Sequence, residues 1–541
     1  MTPDPRATDV RPGPPPTPAG KGLRAGSVGL AASIALGLSS VAPAYSIAVT
    51  LGFVTLVAGD LAPAALLLGF LPILLTAFAF RELNREMPDC GTTFVWTTRA
   101  FGPAVGWLAG GWVAQAATVI AMTALAKVSA GYLLALLGLH ALADDGATVT
   151  TTAVLLLAGL TAIAHRGLRV AAAVQYALLG LQLIALLGFG AVALTRPGSA
   201  TPSLAWLDPL GFDGFGPFAQ AVLLCLFIYW GWDALITTNE ETRDSGRVPG
   251  QAAVISTLVL LGTYLFTAFA ALSFAGSGTD GLGLGNPDNA ADVLATLAPP
   301  VLGDALARVM QLAVCVSAAS ALLTCLVGTS RGTLSMAAHG ALPRAFARIH
   351  PRHLTPGFGT VFFGATAAGL LVLLTLVSSH FLGDAILCVG LLIACYYGTT
   401  ALACVWYFRG RLRDSPRDLL LRGVLPLFGG LLMLAAFARS AADMFDPGYG
   451  STSFHGVGGV FLLGVGSIAG GVVAMLVVRA RLPRFFRDGR TAVARLTVTD
   501  TDTDVPAPAT ATGRLSTTAR PSATARPSTT DADRPSDSTE D

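Results

Sequence analysis

The chain has 541 residues, 53% of them hydrophobic and 12% charged, with a mean hydropathy of +0.65. Soluble domains carry about 25% charged residues, so this composition leaves too little polar surface to coat a globule and excludes an ordinary water-soluble fold. A net charge of +2 gives no electrostatic case for a nucleic acid or an acidic polymer as partner.

In chain order, residues 1–20 are rich in proline and carry no signal-peptide pattern, and the whole tail 1–26 is expected to be disordered and cytoplasmic. A bilayer core of about 30 Å takes roughly 20 apolar residues per helix. Stretches of that kind lie near 27–58, 61–80, 103–126, 147–164, 170–194, 216–239, 250–275, 302–330, 358–379, 385–408, 423–438 and 457–478. These spans predict an all-α polytopic membrane protein of about 12 transmembrane helices, with its lipid-embedded domain over 27–480. The first is too long for one straight crossing. The eleventh is short, and is either extended at its ends or re-entrant.

Lysine and arginine between the spans set the orientation. With the N-terminus placed inside, about twenty fall in inner segments and about four in outer ones. Both termini are therefore expected in the cytoplasm, in a multi-pass protein of the cell membrane. Residues 481–541 are basic and then dominated by Ser, Thr, Ala, Pro and Asp, and are expected to be disordered. Six of the seven cysteines fall in apolar runs, and no two are spaced as metal ligands or a redox pair. They read as packing residues.

An interrupted helix in lipid needs its free backbone groups satisfied by protein or by a water-filled cavity, and such breaks can grip ions and amphoteric ligands. The first candidate is GLSSVAPAYS, Gly37 to Ser46, inside the overlong first span. Gly37 permits unusual dihedrals, Ser39 and Ser40 offer hydroxyls, and Pro43 removes an amide donor. Alone, this is either a binding break or an ordinary proline kink. The second candidate is FIYWGWD, Phe227 to Asp233, in the sixth span. Its aromatics sit too deep for an interfacial belt, because the cytoplasmic boundary is expected at Glu240, Glu241 and Arg243. Asp233 lies about two turns inside the apolar run, where a carboxylate marks a functional or gating group. The other reading is a buried structural acid paired with a hydroxyl. Helices one and six are five apart, as a repeat of five helices plus five requires.

Other polar residues are weighed the same way. Lys127, at the outer end of span three, is expected to snorkel toward headgroups. Gln115 either lines a cavity or bonds between helices. His165 and His339, at cytoplasmic helix ends, are expected to be solvated.

Three stretches resemble the amino acid permeases of the amino acid–polyamine–organocation superfamily. RELNREMPDCGTTFVWTTRAFGPAVGWLAGGW, Arg81 to Trp112, is similar to the family's acidic-Leu, Met-Pro, Gly-Gly, aromatic and Phe-Gly-Pro pattern leading into helix three. YWGWDALITTNEETRDSGRVPGQA resembles the sixth-helix core and the Glu-Glu-Thr…Pro that follows it. SRGTLSMAAHGALPRAFARIHPRHLTP, Ser330 to Pro356, resembles the loop between helices eight and nine. With the first-helix motif, these cover the chain from about residue 27 to 410.

The resemblance implies a five-plus-five inverted repeat with broken helices 1 and 6 and two extra helices. It implies a substrate held at midmembrane between helices one, three, six and eight. Its carboxylate would meet amides near Ser39, Ser40 and Val41, and its amine would meet carbonyls near Gly37, Tyr229 and Trp230, around Gly231. Trp230 or Trp232 would cap the side-chain pocket. Pro88, Gly91, Gly340 and Pro343 would shape cytoplasmic turns without touching substrate. Ser317, Ser320 and Thr324 in helix eight would ligate a cation as in sodium-coupled relatives, although small polar residues are ordinary interhelical glue and that reading is favoured. Three departures stand out. The Gly-rich step of helix one is replaced by Ser39 and Ser40, the usual sixth-helix Glu is Asp233, and the helix-five Lys of some proton-coupled relatives is missing from Val170 to Leu194.

The expected function is secondary active transport of an amino acid or related amine by alternating access. A coupling proton or cation is expected, with Asp233 as the coupling or gating group. One alternative is a polyamine or other organic-cation transporter, which wants a second carboxylate in the cavity; another is a non-transporting membrane sensor. The spans contain no nucleophile–base pair, metal-ligand cluster or phosphate loop, so neither an enzyme nor a cofactor is expected.

Overall fold

Eleven helical stretches are long and apolar enough to cross a membrane in the computed structural model, which describes residues 21–378 and 381–498. The tails at 1–20 and 499–541 lie outside the described residues. The first stretch, Leu30–Glu86, has 57 residues, about 85 Å of helix and more than twice the hydrocarbon core. It holds two crossings, which brings the total to the twelve expected.

Helices α1 (Leu30–Val41) and α2 (Pro43–Ala58) form the first crossing and α3 (Ala62–Glu86) the second. A connecting helix, α4 (Thr93–Phe101), precedes α5 (Pro103–Leu136), which contains a π-helical stretch at Gly106–Val113. Crossings four and five are α6 (Gly146–Arg166) and α7 (Leu168–Thr195). The sixth is α8 (Phe215–Ile228), continued by a 3₁₀ helix at Trp232–Glu241. Then come α9 (Val248–Ala275), the short α10 (Val293–Leu302), α11 (Asp304–Ala338) and α12 (Gly357–Val377). Crossings ten to twelve are α13 (Phe381–Phe408), α14 (Pro416–Asp443) and α15 (Gly459–Arg481). Named strands among the described residues amount to one hairpin, Ser453–Phe454 against Val457–Gly458.

Burial sorts these helices into two layers. The most apolar window of α11 is 83% buried and those of the sixth crossing and α13 are 78% buried, against 17% for α15. The inner layer is therefore the sixth crossing, α11 and α13, while α15 turns its leucines and valines outward. Outward apolar side chains are what lipid-facing helices require.

Several boundaries differ from expectation for one reason: charges that look like helix ends are neutralised in place. The eighth span does not stop at Ser330, because α11 continues to Ala338. Arg331, inside that extension, is 2% exposed and its Nε lies 2.5 Å from Glu241. Glu240 and Glu241, expected at a solvated boundary, are likewise sequestered: Glu240 lies 2.5 Å from the Lys21 ammonium. The eleventh span is 28 residues long rather than short. Its helix begins at Pro416 under a Ser415 cap on the Asp418 amide, and Arg422 inside it pairs with Glu82 and Asp418, each at 3.0 Å. Beyond the spans, α16 (Pro483–Val498) replaces the disorder expected there. Its Phe485 stacks on Phe94 at 5.7 Å, and Arg490 donates to the Ala100 carbonyl at 3.1 Å.

At this arginine-rich end, Lys21 lies 2.7 Å from Asp89, and His339 Nε2 is 3.1 Å from the same carboxylate. His339 is thus buried rather than solvated, whereas His165 is half-buried beside His350 and His353. Burial works against the Asp89 charge, but Lys21 and His339 prevail and hold the carboxyl well below the usual carboxylate range. Burial likewise opposes the Lys21 charge, yet Asp89 and Glu240 hold its ammonium above the ordinary lysine value. Asp89, Cys90 and Glu240 have metal-ligand spacing, but the lysine ammonium sits among them.

Removing one partner of a buried ion pair strands the other charge, at a cost of about 3–5 kcal/mol. Arg331→Met should therefore lower the unfolding temperature of the detergent-purified protein, and pairing it with Glu241→Leu should recover much of the loss. A single variant as stable as the parent would show that Glu241 does not depend on Arg331.

Candidate functional site

The first break follows from one residue. Proline has no amide hydrogen and pushes its predecessor out of the helical region. Ala42, before Pro43, sits at φ 56 and ψ 68, a left-handed conformation that costs a non-glycine residue about 1–2 kcal/mol. The carbonyls freed there find local partners: Ser39 accepts from the Ala42 amide at 3.3 Å, and Val41 accepts from the Ser46 hydroxyl at 2.6 Å. Because α1 runs through Val41, the Ser39, Ser40 and Val41 amides lie inside the helix, and the break falls after them rather than at them.

The second break turns on Gly231, at φ 113, between the end of α8 and the 3₁₀ helix. That 3₁₀ helix runs for ten residues, where three or four is usual. A Cβ on Gly231 would lie 2.7 Å from the Ser40 carbonyl oxygen. Glycine is demanded twice, by its dihedral and by the close approach of the first break. The Ser40 hydroxyl lies 2.8 Å from both the Gly37 and Gly231 carbonyls and can donate to either, so it ties the two breaks together.

Asp233 is half-buried two residues on. The Tyr396 and Tyr397 hydroxyls of α13 donate to its two oxygens at 3.0 and 2.9 Å. Tyr396 in turn accepts from the Trp230 indole at 2.7 Å. One acid, two phenols and an indole thus bind the second break to α13. Asp233 is thus an acid paired with hydroxyls, and it also borders the central cavity.

That cavity is lined by Ser40, Trp230, Gly231, Asp233 and Tyr396, with Gly91 to Phe94, Gln115 and the α11 residues Gly328, Gly332 and Met336. Its volume is about 50 Å³. Ligand pockets run to about 300–1,000 Å³, so this one has space for a few waters.

Of the residues expected to bind substrate, Ser40, Trp230 and Gly231 border this cavity, as does Asp233. Gly37, Ser39, Val41, Tyr229 and Trp232 do not. Gly37 faces packing: a Cβ there would lie 2.4 Å from Leu235 and 2.7 Å from the Ser256 hydroxyl. Tyr229 lies among Phe70 and Tyr264, while Trp232 packs on Phe80 and Tyr397. Gly91, expected only to shape a turn, borders the cavity, and its missing side chain admits Ser335 beside it.

Two of the three helix-eight hydroxyls are engaged with glutamines of α7, while Ser320 Oγ is buried without a partner. Ser317 donates to Gln182 at 2.7 Å and accepts from the Tyr45 amide at 3.2 Å, while Thr324 accepts from Gln175 at 2.7 Å. Ser317 and Thr324 thereby bond between helices. Lys127 places its ammonium 4.3 Å from the Phe381 ring centre. Sequence reasoning missed Tyr396 and Tyr397. Two adjacent phenols in the middle of an apolar run were the available signal, since each hydroxyl needs a partner there.

A family model described as amino acid permease matches residues 28–482. An uncharacterised transporter of Mycobacterium tuberculosis (strain H37Rv) is 32% identical over 184 residues, 33% of this chain and 39% of that protein. A branched-chain amino acid permease of Bacillus subtilis (strain 168) is 24% identical over 155 residues, 29% of this chain and 32% of the relative. The methylthioribose transporter of the same strain is 25% identical over 328 residues, 58% and 67% of the two chains. The chain thus spans about two fifths of the length of the mycobacterial relative it matches. With the family model running from α1 to the end of α15, this chain belongs to the amino acid permease family.

Proposed function

We propose that the protein is a secondary active transporter of an amino acid or related amine in the cell membrane, with both termini cytoplasmic. It works by alternating access about a five-plus-five inverted repeat to which α14 and α15 are added. The observation that carries this reading is the meeting of two broken crossings at Ser40 and Gly231 beside a small cavity. Helix ends at a break present partial charges of both signs, which suits a zwitterion. A relative named for branched-chain amino acids supports the substrate class. A polyamine would want a second acid, and Asp233 is the one carboxylate bordering the cavity among the described residues. Uptake of each of the twenty L-amino acids into proteoliposomes tests the reading, and transport of none would sink it.

Asp233 is the coupling group in this proposal, exchanging a proton beside the Tyr396 and Tyr397 hydroxyls. Asp233→Asn keeps the shape of the side chain and removes its titration. Substrate binding should survive while the pH dependence of uptake is lost. An unchanged pH profile would make Asp233 structural, and abolished binding would make it a direct ligand.

Gly231→Ala puts a methyl 2.7 Å from the Ser40 oxygen on a backbone at φ 113. Transport should be lost in a variant that still inserts, and uptake at the parental rate would dissociate this contact from transport. If one positive charge enters per substrate, a 100 mV potential contributes about 2.3 kcal/mol, close to a fiftyfold gradient. Collapsing the potential with valinomycin and potassium should therefore slow uptake. Uptake indifferent to potential and pH, yet stimulated by internal substrate, would indicate exchange.

A further inference from the structure

α15 gives way to α16 at Leu482 and Pro483, and this last helix has two unlike faces. Phe485, Gly489 and Val493 are buried and Phe486 is half-buried, and these positions fall on one side of a helix. Arg484 and Arg487 are exposed on the opposite side. Arg479 and Arg481, in the last turn of α15, are exposed just before them. Against these four arginines the strip carries one exposed acid, Asp488. None of the four is ion-paired among the described residues.

The apolar face is already covered by protein. Phe485 stacks on Phe94 of α4, and Gly489 comes so near Pro103 that a Cβ on it would stand 2.9 Å away. The Arg490 carbonyl accepts from Arg99 at 3.3 Å. Phe94 in turn borders the central cavity and lies against the His339 ring, with centroids 6.1 Å apart. α16 therefore sits one side chain away from both the cavity and the ion pairs around Asp89. What it offers outward is charge.

Depth in the membrane decides which partner that charge suits. The apolar window of α15 is the least buried of all the crossings, so this helix faces lipid and its last turn marks the boundary of the hydrocarbon. Arg479 and Arg481 thus stand at headgroup level, and α16 begins two residues later. An anionic leaflet attracts basic residues that directly follow a crossing, by about fivefold in affinity for each. A soluble acidic partner gains nothing from that depth.

We propose that Arg479, Arg481, Arg484 and Arg487 form a binding strip for anionic phospholipid headgroups, and that an occupied strip steadies α16 on α4 beneath the central cavity. This rests on the cytoplasmic placement of the arginine-rich end proposed above, and its test needs no transport. The full-length protein is purified in a neutral detergent, and its unfolding temperature is followed as dioleoylphosphatidylglycerol is added. The lipid should raise that temperature, and dioleoylphosphatidylcholine, with the same acyl chains, should not match it. In Arg484→Gln/Arg487→Gln the phosphatidylglycerol concentration giving half the rise should increase about thirtyfold, as two arginines at fivefold each require. Arg479→Gln/Arg481→Gln should do the same, and it covers a failure of the first variant to fold. Raising the salt concentration should weaken the effect in the parent, because exposed charges are screened. An equal rise with phosphatidylcholine would assign the effect to acyl chains and overturn the proposal. A half-point unchanged in both double variants would place the lipid elsewhere and overturn it too. An equal rise with inorganic phosphate would make the strip a site for soluble anions, and a rise with an oligoglutamate peptide but not with phosphatidylglycerol would assign it to an acidic protein. Either result defeats the lipid assignment while leaving the transport reading intact.

Discussion

In hydrocarbon there is no water to satisfy a stray carbonyl, so a helix can break inside a membrane only where protein supplies the missing partners. Two crossings break among the described residues: the first satisfies its freed carbonyls locally, and its Ser40 hydroxyl also reaches the Gly231 carbonyl of the second. The Ser40 hydroxyl stands between the Gly37 and Gly231 carbonyls, and Gly231 lets the first break approach because it lacks a Cβ. That contact sets the position of everything that follows Gly231. Asp233 falls against α13, and the 3₁₀ helix carries Glu240 and Glu241 toward Lys21 and Arg331.

The closure at the arginine-rich end has a different physical character from the apolar packing around it. Lys21, Asp89, Glu240, Glu241, Arg331 and His339 join the N-terminal segment, the α3–α4 connection, the sixth crossing and α11. Desolvation offsets much of the attraction in such pairs, so they add little net stability over apolar packing of the same volume. What they supply is registry, since each charge accepts only a partner of opposite sign at hydrogen-bonding distance. Apolar helix faces alone would tolerate sliding.

Around the cavity, polar chemistry is sparse and only partly paired: Gln115 Oε1, Ser39 Oγ and Ser320 Oγ are buried without a partner. α7 reaches α11 through Gln175 and Gln182, which consume the hydroxyls of Thr324 and Ser317. Asp233 keeps two phenolic donors, and through Tyr396 it is linked to the indole of Trp230. A carboxyl group held by neutral donors, with no cation beside it among the described residues, differs electrostatically from the ion-paired acids at the arginine-rich end. The permease family to which the chain belongs gives this arrangement its functional setting.

Hydropathy and local backbone chemistry were enough to read the twelve crossings and both breaks. A proline fixes what its predecessor can do, and a glycine between bulky aromatics admits a dihedral its neighbours cannot. Such constraints act within a few residues, so Pro43 and Gly231 announced themselves. Long-range pairing could not be read in that way. Tyr396 and Tyr397 stand 163 and 164 positions from Asp233, and Arg331 stands 90 from Glu241. Their partners depend on which helices become neighbours. That is also why charged residues were mistaken for helix ends: a lone arginine in sequence looks solvated, while the same arginine beside a buried glutamate continues the helix. Composition and local sterics determined how many helices there are and where they break. Only the tertiary packing decided which buried charges and hydroxyls face one another, because that pairing is a property of helix neighbours and not of chain neighbours.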